Sequence, residues 1–214
     1  MEQFITILKD ETVDIVEKKS KFIANISCVE NVEEAEAKIK YIKKKYYDAK
    51  HNCIAYRVIE NGRIIEKSSD DGEPSGTAGG PMLNILQKNN LCNLVVIVTR
   101  YFGGILLGTG GLVRAYSDAT QKVIEKSIKV SKVEGIEIEI KLDYPNLDIF
   151  KYYCKNNQIN ITRIDYFEDI ILKVEMEKNR KNTFLNDIET KTLNIKGFQL
   201  IDEKYINKTV EKNK

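Results

Sequence analysis

The alternation of apolar and polar positions divides the chain into short segments that read as strands and helices. Phe4 to Leu8 and Thr12 to Val16 alternate as strands and fit a hairpin around Asp10-Glu11; Phe22 to Ile26 continues the pattern. Asn31 to Tyr47 carries Val32, Ala35, Ile39, Ile42 and Tyr46 at helical spacing. Asn31 is placed to cap that helix, with acids in its first turn and Lys43, Lys44 and Lys45 in its last, which suits the helix dipole. His51 to Ile59 is a strand, Asn61-Gly62 is a hairpin turn, and Arg63 to Lys67 returns. A short helix opens at Gly80-Pro81. Leu94 to Val98 is an uninterrupted apolar run, the mark of a strand covered on both faces. A second long helix follows, with Thr109 as its expected cap and Leu112, Val113, Tyr116, Ala119, Val123 and Ile124 as its stripe.

Beyond Ser131 the order becomes strand (132–143), helix (145–157), strand (159–167), strand (170–177), helix (179–190), strand (193–206). This β-α-β-β-α-β succession predicts a ferredoxin-like unit. The expected organisation is a first domain over 1–132, a ferredoxin-like domain over 133–206 and a loose polar tail over 207–214.

Charge narrows the function. The 214 residues carry 34 Lys+Arg against 32 Asp+Glu, a net +2, so neither half is a basic nucleic-acid-binding domain and any such contact must be local. Nothing reads as a DNA sequence reader. The 4 cysteines show no zinc spacing, and His51 is the single histidine. No apolar run spans a bilayer and the N-terminus lacks signal-peptide design, so the expectation is a cytoplasmic protein without a membrane partner.

Candidate chemistry concentrates between Gly72 and Gly111, where nine of the 12 glycines lie in two clusters, each running into a helix. Ordinary residues cost less than glycine where they fit, so this density points to unusual backbone shapes or close approaches. Two such loops feeding helix N-termini would present N–H groups to an anion. The phosphate-binding set expected from this is Ser75, Gly76 and Thr77 in the first loop, and Arg100, Gly103, Gly104, Gly108, Thr109, Gly110, Gly111 and Arg114 around the second. Tight packing without a ligand explains the same glycines equally well. Neither loop matches a Walker motif or a full dinucleotide fingerprint. Asp70, Asp71 and Glu73 are candidate Mg²⁺ ligands or turn formers, and His51 is a candidate general base.

His51 to Ala55, Ser69 to Gly79, Val98 to Gly104, Leu107 to Tyr116 and Lys19-Ser20-Lys21-Phe22 together resemble the bacterial YigZ branch of the IMPACT family. The resemblance implies an α+β fold. Its first domain would be a two-layer unit similar to the second domain of ribosomal protein S5. The ferredoxin-like second domain would be similar to the last domain of elongation factor G, where the two fold types are neighbours. Eukaryotic members restrain a starvation-responsive initiation-factor kinase by competing for its activator. Some members carry lysine where this chain has Leu106. The resemblance therefore implies a non-enzymatic, translation-linked regulator binding RNA, the ribosome or a translation factor through the two glycine loops. The alternative is a Mg²⁺-dependent phosphoryl or phosphodiester hydrolase built on Asp70, Asp71 and Glu73.

Overall fold

A computed structural model describes residues 3–208. The chain forms two compact units, the first covering Gln3–Val130 and the second beginning at Ser131. Of the expected tail, Asn207 ends the last strand and the Lys208 N–H donates to the Ser131 carbonyl; 209–214 lie outside the described residues.

The first unit contains β1 (Gln3–Ile7), β2 (Glu11–Glu17), β3 (Ser20–Cys28), α1 (Val32–Lys45), β4 (His51–Glu60), β5 (Arg63–Ser69), α2 (Gly79–Lys88), β6 (Leu94–Tyr101) and α3 (Thr109–Lys126). Its sheet runs β2-β3-β6-β4-β5, antiparallel throughout. The central β6 is buried from Leu94 to Arg100, as its unbroken apolar run requires. α2 and α3 cover one face, packing Met82, Leu86, Leu112, Tyr116 and Val123 on Phe22, Ala55, Val96 and Val98. α1 covers the other with Ala35, Ile39 and Ile42 against Ile54, Tyr56, Val95 and Ile97. Asn31 caps α1, its Oδ1 accepting from the Glu34 N–H at 2.8 Å.

One expected pairing fails. β2 does not form a hairpin with β1; it pairs with β3, Glu17 standing opposite Ser20 across the turn Lys18-Lys19. Both lysines take positive φ, 43° and 64°, a conformation that lysine rarely announces in a sequence. β1 turns away, donating the Ile5 N–H to the Asn90 carbonyl and accepting from the Cys92 N–H.

The second unit follows with β7 (Lys129–Leu142), α4 (Leu147–Asn156), β8 (Asn160–Tyr166), β9 (Ile170–Glu177), α5 (Lys181–Glu189) and β10 (Gly197–Asn207). The pairings β10–β7, β7–β9 and β9–β8 are all antiparallel. The resulting order β10-β7-β9-β8 is the ferredoxin-like arrangement. Its core joins Ile136, Ile138, Ile140, Leu172 and Val174 to Phe150 and Phe184 of the helices.

Candidate functional site

The first glycine loop is closed by its own acid. Asp70 leaves the end of β5, and its carboxylate accepts from three backbone N–H groups: Gly76 at 2.8 Å, Ala78 at 2.9 Å and Gly79 at 2.8 Å. Burial pulls the Asp70 carboxyl up, but the three donors outweigh it and hold its pKa below the usual value. Pro81 brings no N–H, so the head of α2 has little left to offer an anion. Thr77 is buried and donates to the Pro74 carbonyl at 2.6 Å. Gly76 supplies a φ of 75°. Ser75 is exposed and stands outside this network. The expected phosphate site at Ser75, Gly76 and Thr77 is therefore occupied by Asp70.

Asp71 and Glu73 turn to other partners. Asp71 accepts from the Asn52 N–H and from Lys43 Nζ, each at 2.7 Å, and its carbonyl lies 2.9 Å from His51 Nδ1. This fastens the loop to the start of β4 and uses the first lysine of the α1 run. Glu73 is buried, and its Oε1 accepts from Arg100 Nη1 at 2.7 Å and from the Tyr116 hydroxyl at 2.9 Å. The three carboxylates thus serve three separate protein networks. Among the described residues no three His, Cys, Asp or Glu side chains gather as a metal site. Asp70, Asp71 and Glu73 do not fit Mg²⁺, and His51 meets a backbone carbonyl rather than a nucleophile.

Arg100 is the second correction. It is the penultimate residue of β6, points into the α2/α3 face and is 7% exposed. Besides Glu73, its Nη2 reaches Ser20 Oγ at 3.4 Å, and its Cζ lies 5.5 Å from the Phe22 ring and 5.6 Å from the Phe102 ring. Nε has no acceptor. Its charge is balanced inside the fold, so it does not hold an outside phosphate. Burial drives the Tyr116 phenol upward, and neighbouring Cys53 and Glu73 push the same way, so the hydroxyl keeps its proton and donates to Glu73. Ser20, Phe22 and Tyr116 escape a search for charged or glycine-rich motifs; strand and helix periodicity marks them only as core.

The second glycine loop divides by role. Gly103 donates to Ser20 Oγ at 3.2 Å, and a Cβ there would stand 2.0 Å from the Lys19 carbonyl carbon. It is a packing glycine. Gly104 and Gly108 take positive φ, 82° and 73°. Gly108, not Thr109, occupies the cap position of α3, and no side chain caps that helix. Among the described residues the N–H groups of Thr109, Gly110 and Gly111 therefore meet no protein acceptor. A turn further along α3, Arg114 is exposed and has no ion-pair partner among them. Beside this open helix head lies a groove of about 460 Å³. Asp14, Ile15, Val16, Glu17 and Lys18 form one wall; Leu107, Gly111, Arg114, Ala115, Asp118 and Lys122 form the other. Phe102, Ile105 and Leu106 stand exposed on the preceding loop, Leu106 at 83%. The sequence brings Gly111 and Arg114 to attention; the β2 wall goes unseen because it depends on the lysine turn.

The Impact N-terminal domain family model matches residues 18–124, which contain both glycine loops, the buried cluster and most of α3. The chain belongs to the IMPACT family. The family member YvyE of Bacillus subtilis is 37% identical across 86% of this chain and 84% of its own length. YigZ of Escherichia coli is 34% identical across 77% of this chain and 82% of its own. A crystal structure described as that of a hypothetical protein matches with a TM-score of 0.63 and 30% identity, covering 94% of this chain and 97% of the other. Both units of this IMPACT chain thus have a counterpart in a solved structure. No helix among the described residues is long and apolar enough to cross a membrane.

Proposed function

We propose that this chain is a non-enzymatic binding protein linked to translation, acting on the translation machinery through the head of α3 and the groove beside it. Family membership supplies the link to translation, as the family's eukaryotic members imply. The observation that carries the reading is the contrast between the two glycine loops. The first is filled by Asp70, whereas the second ends on three unpartnered amides and a solvent-facing Arg114. The hydrolase alternative loses its metal ligands to Lys43, Arg100 and backbone amides.

Ribosome sedimentation tests it. The protein pellets with bacterial ribosomes at low salt, less so at moderate salt, and Arg114→Glu weakens the pelleting. No pelleting under either condition overturns the proposal.

A further inference from the structure

We propose that the groove between β2 and α3 receives an extended segment of a protein partner, added as an extra strand to the β2 edge with an acidic side chain set toward Arg114. This rests on the binding-protein reading above and names the class of partner.

β2 is the terminal strand of its sheet. Counting back from the Lys18-Lys19 turn, Glu17, Ile15 and Val13 direct their backbone groups to β3, and Val16, Asp14 and Thr12 direct theirs outward. The Thr12 carbonyl fixes the direction: it is taken by Lys126 Nζ at 2.9 Å. From Asp14 to Val16, no other strand takes the outward N–H and C=O groups among the described residues. An open edge of this kind, though short, is a template for another strand, and strand addition to an exposed sheet edge is a recurring way of binding extended peptides. The opposite wall suits such a guest. Gly111 and Ala115 are small and one helical turn apart, leaving depth for apolar side chains against Ile15 and Leu107.

Charge selects a peptide over a nucleic acid. The lining carries Lys18, Arg114 and Lys122 against Asp14, Glu17 and Asp118, three of each sign. A polyanion gains nothing from that balance. Lys122 is spent on Asp118 at 2.9 Å, and Asp14 on Lys21 at 2.7 Å. Lys18, Arg114 and Glu17 are left without an ion-pair partner among the described residues, an excess of one positive charge, and Arg114 stands at the end nearest the uncapped α3 amides, where one carboxylate would be matched.

The test is selection of short random peptides displayed against the whole protein. Enriched sequences alternate apolar residues and place Asp or Glu at one end. Val16→Pro removes an outward N–H without touching a β3 ladder bond, so the fold survives while peptide affinity falls roughly tenfold or more. Arg114→Glu weakens the same peptides at least about fivefold. On binding, the Asp14 and Val16 amides slow in hydrogen exchange. The inference is overturned if no peptide is enriched, if enriched peptides ignore Val16→Pro, or if structured RNA and not peptide protects those amides. It is also overturned if the chain is a dimer that Val16→Pro dissociates, since a second copy would then fill the groove. Ribosome pelleting retained without peptide binding sinks only this inference; lost pelleting sinks the parent reading whatever the peptides do.

Discussion

If Arg100 is a strut rather than an anion ligand, its removal must change stability and leave binding intact. Consider Glu73→Leu, Arg100→Met and their combination. Glu73→Leu strands a guanidinium that is 7% exposed, with only Ser20 Oγ at 3.4 Å and two aromatic rings for company. Breaking one side of a buried ion pair costs about 3–5 kcal/mol. The Tyr116 hydroxyl loses its acceptor as well, which adds roughly 1 kcal/mol or more. The expected cost is therefore about 4–6 kcal/mol, a large share of the roughly 5–15 kcal/mol that holds a domain together. Arg100→Met costs less, because Glu73 keeps the Tyr116 hydroxyl as a donor. The double variant carries no stranded charge and falls within about 2 kcal/mol of the parent. Urea unfolding, with hydrogen exchange at the β6 amides to isolate the first unit, measures all three. If Glu73→Leu costs under about 1 kcal/mol and Arg100→Met abolishes ribosome pelleting, the cluster is a ligand site and the reasoning is wrong.

Asp70→Ala exposes three amides without an acceptor, two of them on buried residues, and destabilises the first unit by about 3 kcal/mol in the same urea assay. Because its folded pKa lies below the usual value of 3.8, the Asp70 contribution is present above that value and lost as pH falls beneath it; Asp70→Ala flattens that acid limb of the stability curve. Gly103→Ala drives a Cβ into the Lys19 backbone and costs about 3 kcal/mol or more, whereas Gly110→Ala, with open space around it, stabilises α3 by about 0.5–1 kcal/mol in thermal melts. Burial pushes the Cys53 thiol up to about 12. Iodoacetamide at neutral pH therefore leaves it unmodified until urea unfolds the chain. Between its ordinary 9.0 and about 12 the unfolded chain sheds this proton and the folded chain keeps it, so stability falls as pH rises through that window.

Local chemistry was legible in the residues. The Asn31 cap, the Asn61-Gly62 turn (φ 51° and 72°) and the β-α-β-β-α-β succession all declare themselves through side-chain type and period. What stayed hidden depends on distant meetings. A carboxylate that binds amides six to nine residues later looks, in one dimension, like a metal ligand. Arg100 beside glycines looks like an anion receptor until Glu73, 27 positions earlier, is seen to neutralise it. The β2 wall of the groove required two lysines to adopt a left-handed turn, against their usual preference. Glycine density was a fair pointer to tight geometry, but it could not separate Gly103, where a Cβ would strike the Lys19 backbone, from Gly110, where a Cβ would meet open space.

The strand order β2-β3-β6-β4-β5 also dictates a timetable during synthesis. The hairpins β2–β3 and β4–β5 are contiguous in the chain and can zip as they leave the ribosome, but only β6 joins them. Until Tyr101 has emerged they are two ribbons with apolar faces and nothing between them; α3 arrives later still. A nascent chain paused before that point displays Phe22, Ala24, Cys53 and Ala55 to whatever is near the exit tunnel; β6 unites the two ribbons, and the exposure ends only when α3 follows and lays Tyr116 against Phe22.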